Sequence, residues 1–246
     1  MRFILTSVLC MAITVLSIAQ DLSYGLRVND LSARPMQDIA KPGYLQTITD
    51  PSFGTTIRRI TNAGNGGVIV PMYSTIQPWN ADESLMIVYN QSRSVHQLLH
   101  GITYAYIRDL DDIRPADIEQ IFWDFNDPNV FYYLDRSTRV FTKYFIDTRQ
   151  KESLVDINTL TGSCSGFLSM GHDVQMMSWD SDVFSFRCEN ERAFAYRIST
   201  GAVTEFALND VQYTAPMPAP SGNLFFHGNE VYTANGRVQD LSLIHI

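Results

Sequence analysis

Hydrophobic runs in this chain arrive in a repeated frame: an aromatic residue, a short polar turn, then a strongly β-prone stretch. The clearest copies are Trp79-Asn80-Ala81-Asp82-Glu83-Ser84 before Leu85-Met86-Ile87-Val88, and Trp123-Asp124-Phe125-Asn126-Asp127-Pro128-Asn129 before Val130-Phe131-Tyr132. A third is Trp179-Asp180-Ser181-Asp182 before Val183-Phe184-Ser185-Phe186, and a weaker fourth is Pro220-Ser221-Gly222-Asn223 before Leu224-Phe225-Phe226. All three tryptophans stand at one point of the frame. Asn, Asp, Ser, Pro and Gly between two apolar runs favour a tight hairpin, because they adopt turn dihedrals or bond their own backbone.

Aligning Asp82, Asp127, Asp180 and Gly222 gives steps of roughly 45, 53 and 42 residues, near the period of about 40 to 50 at which four-stranded blades repeat. The pattern predicts an all-β chain, a β-propeller of four-stranded antiparallel blades. Strands a to d are expected at residues 73–77, 85–89, 95–99 and 103–108 in the first blade. In the second they are expected at 118–122, 130–134, 140–146 and 153–157, and in the third at 174–178, 183–187, 194–198 and 203–208. Blades pack face to face, so most of the 12% aromatic content belongs to the core.

An up-and-down blade puts its d–a and b–c connections at one end and its a–b and c–d turns at the other. One end therefore receives Arg93, His96, Arg136, Arg139, Arg192 and His227, together with the loop over 158–172 that delivers His172 to the channel mouth. The other end receives the tryptophan hairpins, His100 and Arg149. Long loops on a rigid scaffold carry function more often than the scaffold does, so the Arg/His end is the expected site.

Residues 1–19 have the form of a secretory signal: Arg2, an apolar stretch over 3–15, and Ser17-Ile18-Ala19 as a small-x-small cleavage site. A membrane anchor is the alternative, disfavoured because the stretch is short. Residues 20–54 read as an irregular leader, and 55–61 as a lone strand that completes the last blade by non-local pairing. The alternative is an edge strand guarded by Arg58 and Arg59. Leu241-Ser242-Leu243-Ile244-His245-Ile246 reads either as translated library adapter or as a true last strand. On the first reading, residues 55–240 are about four blades of a seven-bladed ring. Cys10 leaves with the signal; Cys164 and Cys188 are either a disulfide or two buried thiols.

The formal charge of −8 argues against general nucleic-acid binding, while a local arginine cluster remains compatible with an anionic sugar. The sequence holds no glycine-rich phosphate loop, nucleophile elbow or zinc-protease helix motif. No metal-site histidine spacing falls on the expected mouth, since His96 and His100 belong to opposite ends of a strand. A divalent metal shared between blades, for example by His172 and His227, stays open.

The Trp/Asp-turn-β frame, Ile57-Arg58-Arg59-Ile60-Thr61 and the Ile198-Ser199-Thr200-Gly201 turn resemble the TolB/WD40-like propellers. With the exported leader and Asp50-Pro51…Gly54, they are similar to secreted polysaccharide lyases of the oligogalacturonate-lyase and ulvan-lyase type. The resemblance implies a secreted or periplasmic protein acting on acidic polysaccharide by β-elimination. It implies His172 or Tyr73 as base and Arg136 or Arg139 as the cation that neutralises the uronate. Arg93, His96, Arg192 and His227 are then candidates for binding substrate. The metal-binding histidine cluster of the oligogalacturonate type is not matched here. The competing reading is a non-catalytic propeller that binds a protein or glycan through the same end.

Overall fold

The computed structural model describes residues 29, 31, 36–161, 164–171, 176–189, 191–208, 215–228, 230–236 and 238–239. The expected signal, the 241–246 tail and His172 lie outside the described residues. The chain is all-β, with four antiparallel sheets of four strands, each in sequence order. The first blade is β3 (Ile69–Pro71), β4 (Leu85–Asn90), β5 (Val95–His100) and β6 (Tyr106–Leu110), after a leader hairpin of β1 (Thr47–Thr49) and β2 (Thr56–Arg58). The second is β7 (Ile121–Trp123), β8 (Val130–Leu134), β9 (Val140–Phe145) and β10 (Lys151–Asp156). A short helix, α1 (Ile157–Thr161), then leads to β11 (Leu168–Ser169), β12 (Val183–Cys188), β13 (Arg192–Arg197) and β14 (Ala202–Phe206). The fourth blade is β15 (Met217–Pro218), β16 (Leu224–His227), β17 (Glu230–Thr233) and β18 (Val238–Gln239).

The second blade shows why the strands read as continuous apolar runs. Every residue of Val130–Leu134 is buried, because a sheet lies against each face. Phe131 stacks on Tyr144 at 4.6 Å within the blade, while Tyr132 meets Phe184 of the third blade at 4.7 Å. Phe141 joins the same seam, 4.8 Å from Phe184 and 5.2 Å from Phe186. The inner edges are tied by a buried clamp: Gln120 Nε2 donates to the Gly171 carbonyl at 2.6 Å, and Gln120 Oε1 accepts the Met170 N–H at 2.9 Å.

The repeated hairpin turns out to be an inter-blade latch. Asn80 Nδ2 donates to Pro128 O at 2.9 Å, and the Trp123 indole N–H donates to Pro78 O at 3.0 Å. The Phe125 N–H donates to Ser181 Oγ and the Trp179 N–H to Pro220 O, each at 3.0 Å. Asn80 Oδ1 also accepts the Leu85 N–H at 2.9 Å, closing its own hairpin. Asn80→Ala removes both functions at a buried position and strands a backbone donor, so unfolding stability should fall by ~1–3 kcal/mol in a urea titration.

Three expectations are corrected. Residues 55–61 are not a lone strand: β2 pairs locally with β1, through Ile48 opposite Ile57, and Asp50 Oδ1 accepts the Ser52 and Phe53 N–H groups to make the turn. The hairpin rests on the first blade, with Arg58 over the Tyr104 ring at 5.3 Å and Ile60 against Met86, Val88 and Leu99. Second, residues 73–77 are not strand a. The inner strand pairs at Ile69–Pro71, leaves the sheet, and returns at a bridge from Trp79 to Met86. Pro71 and Pro78 bracket the departure, each lacking the N–H that a ladder needs. The third inner strand likewise pairs at Leu168–Ser169 and again at Met177, opposite Phe184. Third, Trp179 does not match the other tryptophans. Met177 fills that register, and Ser178, whose Oγ accepts the Val183 N–H at 3.0 Å, takes the role of Asn80. Trp179 is left 66% exposed, whereas Trp123 is 4% exposed.

Candidate functional site

At the end where b–c and d–a connections gather, the first two blades enclose an open cavity of about 660 Å³. Its walls include Tyr89, Arg93, His96, Asp109, Asp111, Arg114 and Arg136. The d–a loop that carries Arg114 is pinned to the second blade. Ala116 N–H donates to Leu134 O and Arg136 N–H to Arg114 O, each at 2.7 Å, around a bridge from Pro115 to Asp135. His96, buried at the start of β5, bonds the Ile118 carbonyl through Nε2 at 2.6 Å and so fixes the far end of that loop. Burial pushes its imidazole below the ordinary value, outweighing the upward pull of that bond.

The charges in the cavity do not cancel. Arg93 is paired with Asp109 at 2.5 Å, and Gln97 donates to the same carboxylate at 3.1 Å. Partial burial works to raise the Asp109 carboxyl, but the Gln97 and Arg93 hydrogen bonds outweigh it and hold it below its ordinary value. Asp111 is paired with Arg149 at 2.6 Å. Arg136, which also lines the cavity, donates through Nε and Nη2 to Ala116 O, at 3.3 and 3.0 Å. Neither Arg114 nor Arg136 meets an acidic partner among the described residues. Two exposed guanidinium groups on one rim are an anion-binding arrangement, since each presents a planar fork of donors suited to a carboxylate.

Arg93, His96 and Arg136 thus line one cavity, and the other candidates among the described residues do not. Arg139 donates to the Cys164 and Gly166 carbonyls, so its guanidinium ties the second blade to the loop ahead of β11. That loop is closed by a disulfide between Cys164 and Cys188, with Cα atoms 5.7 Å apart, and by Glu191, which accepts the Ser165 and Gly166 N–H groups. Arg192 pairs with Glu205 at 3.3 Å on the outer strands of the third blade. Tyr73 is exposed in the inner excursion of the first blade, lining a separate surface with Ser74, Thr75 and Gln77. His227 is buried between the third and fourth blades. Its Nε2 bonds Ala207 O at 2.8 Å, and its Nδ1 meets no partner among the described residues. Arg114, Tyr89 and Asp109 were not singled out by the sequence; Arg114 was findable only as a cation in the d–a loop facing two b–c loops.

The two buried histidines predict a pH dependence. Burial lowers the imidazole pKa of His96 and of His227 in the folded chain. The unfolded chain therefore binds more protons once pH falls below about 6.5, and the stability held above that value is lost as pH drops toward the lowered folded pKa. Urea midpoints should fall between pH 7.5 and 5.5, roughly the window of histidine titration, and the double variant His96→Gln/His227→Gln should flatten the slope. An unchanged slope in that variant would assign the effect elsewhere.

No protein-family model matches the chain, and no curated protein matches it by sequence. Solved structures do match. An oligogalacturonate lyase in complex with manganese superposes with TM-score 0.55 at 14% identity, over 79% of this chain and 58% of that one. The oligogalacturonate lyase of Vibrio parahaemolyticus gives 0.53, also at 14% identity and over 79% and 58%. TolB from Acinetobacter baumannii gives 0.48 at 16% identity, over 78% and 46%. The chain therefore spans 58% of the length of either lyase. Manganese is a hard cation that favours oxygen donors. Among the described residues, the three-donor group is Cys164, Cys188 and Glu191, whose sulfurs are joined to each other and do not fit that ion. No helix among the described residues is long and apolar enough to cross a membrane. At this identity the likeness is one of architecture: the chain is a β-propeller of four-stranded antiparallel blades.

Proposed function

We propose that this protein, exported by its amino-terminal signal, holds acidic polysaccharide in the rim groove of its first two blades, with a uronate carboxylate on Arg114 and Arg136. The supporting observation is the pair of guanidinium groups without acidic partners among the described residues in a cavity of about 660 Å³. A chain of formal charge −8 repels polyanions in general, so binding depends on this local excess of cations. Asp109 and Gln97 fix Arg93 beside it as a rigid wall.

The likeness in fold to two oligogalacturonate lyases favours a further step, β-elimination. Neutralising the carboxylate acidifies the proton on the adjacent C5. A base takes that proton, the C4–O bond breaks, a C4=C5 double bond forms, and the departing oxygen gains a proton. In the groove the group suited to the first transfer is Tyr89, half-buried with its ring 4.8 Å from that of His96. Once the hydroxyl has given its own proton to solvent, the phenolate oxygen takes the C5 proton and can return it to the departing oxygen. His96 is the weaker choice because its Nε2 is engaged by Ile118.

Polygalacturonate and ulvan, titrated into the protein with calorimetry and ultraviolet detection of unsaturated ends, test both steps. Expected are saturable, salt-sensitive binding and an absorbance rise that Tyr89→Phe abolishes while binding persists. Binding without absorbance would make the propeller a glycan-binding module. No binding of either polymer would discard the carbohydrate reading.

A further inference from the structure

We propose that the opposite end of the blades carries a docking surface for a basic peptide segment, centred on Trp179. The fold does not use this indole: Met177 occupies the core position, and Trp179 is the most exposed aromatic side chain among the described residues. Its backbone is nonetheless held on both sides. The Trp179 N–H donates to Pro220 O of the fourth blade at 3.0 Å, and its carbonyl accepts from Asn126 Nδ2 of the second blade at 3.4 Å. A large aromatic surface on a fixed backbone loses little conformational freedom when a partner covers it, the property that favours tryptophan as an interface anchor.

The surroundings choose the partner's chemistry. Asp180 and Asp127, next to Trp179 and Asn126 in the chain, are both exposed and have no cation paired with them among the described residues. Arg197, at the end of β13 and bonded to this hairpin through Asp182 at 2.8 Å, is also consumed by the Gly222 carbonyl. An exposed, electron-rich indole on a surface whose neighbouring turn residues Asp180 and Asp127 carry no paired cation among the described residues suits a lysine or arginine lying over the ring. The surface lies on the a–b hairpins, at the far end of the blades from Arg114 and Arg136, so its test is independent of the polysaccharide groove.

The probe is hexalysine, titrated into the full chain and followed by tryptophan emission and calorimetry. Expected is a saturable emission change that high salt weakens. Trp179→Ala should weaken the calorimetric affinity about tenfold or more, and Asp127→Asn severalfold. Trp179→Ala removes only an exposed side chain and leaves both backbone tethers, and circular dichroism checks that each variant is folded. Absence of saturable binding would overturn the proposal. So would an affinity unchanged in Trp179→Ala, which would mark bulk charge attraction. Binding of a neutral cello-oligosaccharide at Trp179 in preference to hexalysine would overturn it in favour of sugar stacking.

Discussion

Phe184→Ala is expected to lower unfolding stability by ~3–5 kcal/mol, the range for removing a buried phenyl ring without collapse of the space it leaves. Phe184 is fully buried on β12 and meets Tyr132 at 4.7 Å and Phe141 at 4.8 Å across the seam between the second and third blades. Each neighbour belongs to a sheet whose position is fixed by its own ladder and by the hairpin latches, so neither blade is free to close the void. The urea midpoint should fall with little change in slope, because both states keep the same exposed surface. A loss below ~1 kcal/mol, the size of an ordinary surface change, would mean that the seam is not packed as described.

The second large effect belongs to the groove. Arg114→Ala/Arg136→Ala should lose about 10- to 100-fold in polygalacturonate affinity, the scale of one or two charge-assisted hydrogen bonds reduced by solvent screening. Much of the salt dependence of binding should disappear with it, since these are the cations without acidic partners among the described residues. Arg192→Ala, on the outer strands and paired with Glu205, should leave affinity unchanged within about twofold, as expected of an exposed ion pair. Equal losses in the two proteins would show that overall charge, not the groove, governs binding.

How much of this was legible depended on how local the cause was. Val130–Leu134 was placed to the residue because five successive buried positions give an unbroken β-prone run. The inner strand of the first blade was misplaced because its polar excursion between two prolines has the length of a strand but pairs with nothing. Trp179 misled the alignment. Its Asp and Ser neighbours imitate the earlier turns, while the residue that closes the turn is Ser178, whose hydroxyl stands in for a side-chain amide. The leader hairpin was missed because β1 is a three-residue strand, Thr-Ile-Thr, with no distinctive pattern.

For the site, sorting loops by blade end was enough to bring Arg93, His96 and Arg136 into one group. It was not enough for Arg139, whose carbonyl partners sit in a loop of the next blade. Nor did it find Arg114, which is placed by the pairing of Pro115 with Asp135 across 19 intervening positions of loop and strand, roughly the reach at which local pattern stops informing.

A crystal structure of the protein soaked with trigalacturonate addresses the central claim most directly. A sugar carboxylate within hydrogen-bond distance of both Arg114 and Arg136 is the predicted result. Sugar lodged instead along the inner strands beside Tyr73, with the rim groove empty, would contradict it.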